Sequence, residues 1–259
     1  MITLYGMSSP NVRKVLIALE EMGLAYAMRH VSVFRGEQFG PEILALNPMA
    51  KVPILIDPEG PGEGLPIFES GAILLYLAES YGGQFLPAAA PDRYRVLQWL
   101  FMQVASMGPA LGNHSHFRLI ERDNAYAAAR FRRMSAQVYR ALDSRLAEAP
   151  YLAGADYSIA DMAAWPWARY FHRHGMRDAD CPHLVEWFSR IGDRPAVRAA
   201  DEPMDRFGQL DARDRAAATP EELAMFTGNH IVAPTAGEAA AGAPATDRLQ
   251  RSSARETRS

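Results

Sequence analysis

Two short constellations carry residue types suited to chemistry. The first is Lys51-Val52-Pro53 at the head of the run ILID, followed by Glu69-Ser70-Gly71 ahead of a second apolar run. A proline at a strand start costs the ladder no donor. With a cis bond before Pro53, the backbone N–H and C=O of Val52 would turn outward, where an extended peptide can pair with them as an added strand. Ser70 at a helix N-terminus offers a hydroxyl and free backbone N–H groups, a seat for a carboxylate. Glu69 beside it can accept from an ammonium. Carboxylate and ammonium side by side describe an amino-acid head group. The plainer alternative keeps Pro53 as a strand-edge proline and Ser70 as a helix cap.

The second constellation is Ser8-Ser9-Pro10-Asn11. It puts hydroxyls and an amide at a helix N-terminus near the carboxyl end of a strand, where open α/β sheets bind ligands. No His or Asp adjoins these residues, so none is set up as a general base. Each can donate a hydrogen bond to an anion. Helix capping is again the plainer alternative.

The elements that must position these groups follow from periodicity. Residues 2–5 (ITLY) read as a strand ending at Gly6. Val12, Val15, Leu16, Leu19 and Met22 recur on one helix face, and Gly23 ends it. Residues 25–33 alternate as a strand, 41–47 form a short helix opened by Pro41, and VPILID is a strand beginning at Pro53. After a turn-rich loop, a short strand at 66–68 leads into the helix SGAILLYLAES. The order βαβαββα describes a small mixed-sheet domain of residues 1–82. Gly82, Gly83, Pro87 and Pro91 mark a linker. The pattern from 91 to 207 is all helical: Asp92 to about His116, Asn124 to Glu148, a helix opened by Ser158 with Asp161 as its capping-box partner, and stretches at 183–193 and 195–206. Pro166 should disturb the third of these. Residues 208–259 form an extension. Residues 219–227 are a candidate short helix, and the segment after about 232 is expected to be disordered. Deleting 232–259 should therefore leave folding and activity almost intact.

Composition narrows the function classes. The 259 residues are 49% hydrophobic and 22% charged, with a net charge of −3. That is enough apolar content for a sizeable core, and the charge balance favours neither nucleic acid nor membrane as a partner. Lysine occurs only at Lys14 and Lys51 among 27 basic residues, which reads as composition before function. No run is long enough to cross a membrane as a helix, and the first residues lack the pattern of a secretory signal. The single cysteine, Cys181, cannot form an internal disulfide or a two-cysteine redox pair. A reducing, cytoplasmic compartment is expected. His114/His116 and His172/His174 are spaced by two, which on a helix points them apart, so no metal site is expected. Ser70 lies outside any Gly-x-Ser-x-Gly elbow, against a hydrolase.

The segments LYGMSSPNVRKVLIALEE, NPMAKVPILID, ESGAILLYLAES, LQWLFMQVASMGPALGNHSHF and YSIADMAAWPWAR, in this order, resemble the cytosolic glutathione transferase superfamily. They are most similar to its bacterial Nu-class, disulfide-bond oxidoreductase-like branch, which is related to a yeast nitrogen-catabolite regulator. The resemblance covers about residues 1–206. It implies an α/β thioredoxin-like N-terminal domain followed by an all-α helical-bundle C-terminal domain, a homodimer, and glutathione as cosubstrate with no metal. Residue by residue, Val52 would pair its backbone with the cysteinyl part of glutathione, beside Lys51 and Pro53. Glu69 and Ser70 would hold the γ-glutamyl head group, and Gln38 would contact glutathione. Asn11 would face the sulfur, with Ser9 where close relatives carry a threonine. Arg130 would reach the second glutathione of a bound disulfide, with Arg132 and Arg133 as rivals. Tyr5 lies in a strand and is not the catalytic tyrosine of other classes. No cysteine stands at 9, 10 or 11, so a mixed disulfide between enzyme and glutathione there is excluded.

Free thiols titrate near pH 8.5. A hydrogen bond to a charged group contributes roughly 1.5–3 kcal/mol, and one pKa unit is about 1.4 kcal/mol. Donors from Ser9 and Asn11 could thus lower the glutathione pKa by about 1–2 units, towards the value at which attacking thiols work best. The leading expectation is reduction of small disulfides by bound glutathione thiolate. Two alternatives remain open: conjugation to a small electrophile near Phe101, Met107, His114 and Phe117, and a non-catalytic glutathione-binding regulatory module.

Overall fold

The computed structural model describes residues 1–119 and 124–228. The segment after 232, expected to be disordered, lies outside these residues. The first domain runs β1 (Ile2–Gly6), α1 (Pro10–Glu21), β2 (Tyr26–His30), α2 (Pro41–Leu46), β3 (Ile54–Ile56), β4 (Ile67–Phe68) and α3 (Ser70–Ser80). β2 is shorter than the alternation suggested, because Val33–Arg35 and Glu37–Phe39 coil into 3-10 turns. The strand order is β2-β1-β3-β4, with β1 parallel to β2 and antiparallel to β3. Register places Leu4 opposite Leu55 and Tyr5 opposite Ile54. Side chains alternate across a strand. Leu4 and Leu55 therefore face the main core, while Tyr5 and Ile54 face a smaller cluster with Val31, Phe34 and Ile43.

The helical region comprises α4 (Ala90–Met102), α5 (Gly108–Leu119), α6 (Ala125–Leu146), α7 (Ile159–Ala168), α8 (Pro182–Gly192), α9 (Pro195–Ala199), α10 (Asp201–Ala217) and α11 (Pro220–Thr227). Two differences from the sequence reading affect the site. The helix expected from Asp92 to His116 is interrupted by a π-helical turn at Gln103–Met107. Such turns are frequent at functional sites and leave no periodicity signal of their own. The last helix, read as ending at 206, continues to Ala217 and folds back onto the first domain. Asp211 accepts from the Ser8 backbone N–H at 2.8 Å and sits 2.8 Å from His30 Nε2.

α1 is buried nearly all round, because α3 of the first domain and α7 and α9 of the helical region pack against it. The two regions thus share one apolar core, from Leu16 and Leu74 through Leu100 to Trp187. Arg194 reinforces the seam, pairing with Glu21 at 2.5 and 2.7 Å and stacking 3.9 Å over Tyr157. No helix among the described residues is long and apolar enough to cross a membrane.

Candidate functional site

The turn between β1 and α1 is built as a cap. Ser9 is extended, Pro10 takes the first helical position, and the Ser9 hydroxyl accepts from the Val12 backbone N–H at 3.3 Å. Asn11 follows in the first turn. Its Oδ1 accepts from Trp167 Nε1 of α7 at 2.9 Å. An indole N–H can only donate, so this bond fixes which end of the amide faces Trp167. What Asn11 has left to offer a ligand is its Nδ2 donors.

The second wall is the loop into β3. Asn47, 1% exposed, donates from Nδ2 to the Lys51 carbonyl at 2.8 Å, and its Oδ1 accepts from the Met49 N–H at 3.0 Å. This clamp presents Lys51-Val52-Pro53, with a cis bond between Val52 and Pro53. The third wall is the junction of β4 and α3. Glu69 sits at φ 68°, ψ 114°, a conformation sparsely populated by residues with a side chain. Strain of this kind clusters where the surrounding structure fixes a functional group. Ser70 begins α3 and is buried.

These walls enclose a cavity of about 270 Å³. The helical region closes it with Gln103, Val104, Gly108, Pro109 and Trp167. Lys14 of α1 forms its floor, 1% exposed, with Nζ 3.1 Å from Ser70 Oγ and 2.5 Å from Gln103 Oε1. Burial pushes the Lys14 ammonium down to about 7, opposed by the Glu69 carboxylate. No thiol and no imidazole stands among the described residues lining the cavity. Its equipment is two lysines, one carboxylate, one hydroxyl and amide donors. It can seat a zwitterion with an extended backbone and hydrogen-bond an anion at the Asn11 end.

Of the residues singled out in the sequence, Asn11, Lys51, Val52, Pro53, Glu69 and Ser70 line this one cavity. Ser9 lines an adjoining pocket with Arg13, Arg169 and Arg173. Gln38 is buried in the 3-10 turn after Gly36, its Oε1 without a partner among the described residues, and does not line the cavity. Arg130 is exposed on α6, as are Arg132 and Arg133. The residues expected to receive an electrophile are elsewhere. Met107 is fully buried, Phe117 stacks on Phe131, and Val104, Pro109 and Trp167 supply the apolar wall instead. The π-turn supplies Gln103 and Val104 to the cavity. His114 and His174 are buried and stacked, and His174 is held between Ser115 Oγ and Tyr139 OH. Burial and the neighbouring His114 drive the His174 imidazolium down to about 4, so that it is neutral near pH 7. Cys181 is buried, and that burial, with Asp143 and Asp180, pushes its thiol up to about 11.

Sequence reasoning missed Lys14, Asn47, Gln103 and Trp167. For Lys14 a signal existed. The sequence holds only two lysines, and both line the cavity. Lys14 also interrupts the otherwise apolar run Val12 to Leu19 apart from Arg13. Gln103 and Trp167 depend on packing between regions distant in sequence, whereas Asn47 acts locally, through Met49 and Lys51.

Comparisons with known proteins fit this geometry. Residues 8–80 match the family described as glutathione S-transferase, N-terminal domain, and residues 125–190 match glutathione S-transferase, C-terminal domain. The chain is 42% identical over 203 residues to the disulfide-bond oxidoreductase YfcG of Escherichia coli, covering 77% of this chain and 94% of that protein. It is 35% identical over 211 residues to YghU of the same organism, also named a disulfide-bond oxidoreductase, covering 75% and 72%. A glutathione transferase family member from Pseudomonas fluorescens, solved with two glutathione bound, superposes with TM-score 0.72 at 34% identity, covering 77% and 91%. A glutathione transferase from Pseudomonas putida, with one glutathione disulfide bound per subunit, superposes with TM-score 0.71 at 36% identity, covering 77% and 90%.

Proposed function

The chain belongs to the glutathione S-transferase family, and from that premise we propose that it is a glutathione-dependent thiol–disulfide oxidoreductase acting on small disulfides. Two glutathione molecules and one disulfide give glutathione disulfide and two free thiols, with the thiolate of bound glutathione as the attacking group. The names of the two Escherichia coli relatives and the ligands of the Pseudomonas structures support this reading. The observation that carries it within this chain is Asn11. Its amide oxygen is held by Trp167, which leaves the Nδ2 donors as the end offered to the cavity.

Each wall then has a task. Glu69 accepts from the α-ammonium of the γ-glutamyl group, and Ser70 donates to its carboxylate. Val52 pairs its backbone with the cysteinyl residue. Asn11 stabilises the thiolate, aided by Ser9 and by the positive end of α1. No protein base and no protein thiol is required, and Cys181, buried and protonated, contributes neither. The chain supplies proximity and thiolate stabilisation. Gln38 and Arg130 complete the proposal as contacts to glutathione and to the second half of the disulfide. The working compartment is proposed to be the cytoplasm. The active form is proposed to be a homodimer, supported by Tyr94 and Phe101, both exposed and seven residues apart on one face of α4. A monomer mass in sedimentation velocity at micromolar protein would overturn the dimer.

The test is glutathione-dependent reduction of hydroxyethyl disulfide, coupled to glutathione reductase. Loss of one hydrogen bond to a charged group predicts a fall of about 10- to 100-fold in Asn11→Ala. An unchanged rate in the variant overturns the role of Asn11. No turnover by the wild type, with glutathione still bound, overturns the oxidoreductase.

A further inference from the structure

The floor of the cavity holds a charge that the proposed reaction leaves unused. We infer that Lys14 is a positioning residue for the ligand's α-carboxylate: its ammonium fixes the Ser70 hydroxyl as a donor towards that carboxylate and supplies the counter-charge from behind the wall. The inference rests on the glutathione reading of the cavity and assigns the origin of its affinity for the γ-glutamyl head group.

Three observations carry it. Lys14 Nζ lies 3.1 Å from Ser70 Oγ and 2.5 Å from Gln103 Oε1, two acceptors that use two of the three N–H donors of an ammonium. Gln103 is fully buried and lines the same cavity, and its Nε2 has no partner among the described residues. A polar pair buried this deeply, with a donor unspent, is costly unless a ligand completes it. Lastly, both lysines of the chain line this cavity, while none of the described arginines does. An arginine cannot lose its proton in a protein, whereas a buried lysine can.

The proton is the consequence. A neutral Lys14 amine can accept the Ser70 O–H, which turns that hydrogen away from the ligand. A charged Lys14 can only donate, so Ser70 Oγ accepts and its hydrogen is released towards the cavity. With the ammonium held down to about 7 by burial, the free protein is a mixture of the two states near neutral pH. An arriving carboxylate favours the charged one, and binding takes up a proton. Among the described residues, the charged groups facing Lys14 are few. Glu69 comes from the start of α3, and Lys51 stands across the cavity before β3. The π-turn contributes the neutral Gln103, and α7 the neutral Trp167.

The experiment is titration calorimetry of the full chain with S-methylglutathione, which has no thiol proton, in buffers of different ionisation enthalpy. Wild type is expected to take up little at pH 5.5 and more than about half a proton between pH 7 and 8.5. Lys14→Met is expected to take up only what the ligand's own α-amino group gains at Glu69, less than wild type by about half a proton or more, and to bind about tenfold more weakly. That penalty should vanish for the analogue with 4-aminobutyrate in place of the γ-glutamyl residue, which lacks the α-carboxylate. A residue that merely supports the fold would weaken both ligands alike. Because Lys14→Met strands Gln103, the double variant Lys14→Met/Gln103→Leu removes both polar partners and is the version to use if the single variant unfolds. Wild-type binding with unchanged proton uptake and affinity in a folded variant overturns the inference alone. Failure of the wild type to bind S-methylglutathione overturns the glutathione reading itself.

Discussion

Asn11 and Trp167 act as a unit. The indole gives its one donor to the amide oxygen and holds that end towards α7, so the Nδ2 end is the one turned away from the indole. Without that bond the side chain could rotate and present its oxygen to the thiolate, turning attraction into repulsion. Trp167→Phe keeps the packing and removes the donor. Turnover is expected to fall about tenfold, with the KM for glutathione nearly unchanged, because the head-group contacts are untouched. The pH–rate profile supplies the check. Its acidic limb, set by the glutathione thiol, should move upward by about one unit if a thiolate hydrogen bond has been weakened. An unmoved limb would mean that Asn11 is oriented by something else.

Among the elements, α7 places that indole. Its start is a capping box: Ser158 Oγ accepts from the Ala160 N–H, and Asp161 Oδ2 accepts from the Ser158 N–H at 3.1 Å. Asp161 is fully buried and also accepts from the Leu152 N–H at 3.0 Å and from Trp187 Nε1 at 2.9 Å. Burial raises its pKa and these donors oppose the rise. The carboxylate is therefore a hub joining the start of α7, the loop before it and α8. Asp161→Ala would leave buried donors unpaired at about 1–3 kcal/mol each. Unfolding in urea should show a loss of roughly 3 kcal/mol or more, far above the cost of an exposed capping residue. A loss below about 1 kcal/mol would show that water replaces the hub.

At the scale of the molecule, the site is a seam. α1 carries Asn11 and Lys14 between two regions, and α10 crosses back to pin the turn before it through Asp211 and the Ser8 N–H. α11 then covers the outer face of the first domain, with Phe226 on Phe34 at 4.4 Å and Leu223 against the smaller core. A chain ending after Gln209 keeps every cavity-lining residue but loses these ties. Its Tm is expected to fall by at least about 5 °C, from the loss of two hydrogen bonds to the Asp211 carboxylate. Glutathione affinity should fall with it, since the Ser8–Asn11 turn loses its anchor. An unchanged Tm would make α10 beyond that point dispensable.

The sequence alone determined much of this. Local rules do not depend on distant partners, so the βαβαββα order, the capping box at Ser158 and Asp161, and the pairing of Lys51-Val52-Pro53 with Glu69-Ser70 were legible from spacing and residue type. The same holds for the absence of any second cysteine. Tertiary structure decided what depends on contacts between distant segments. A π-turn has no period of its own, so Gln103 could not be placed. The burial of His114 and His174 depends on α5 meeting the turn at 172–174. The continuation of α10 past 206 is set by the first domain it touches, because its partners, Ser8, His30 and Ser32, lie nearly two hundred residues earlier. Lys14 combines both cases. Its residue type was in plain view, but the same ammonium is unremarkable on a solvated helix, and only burial at the floor of a cavity, against Ser70 and Gln103, makes it a functional group.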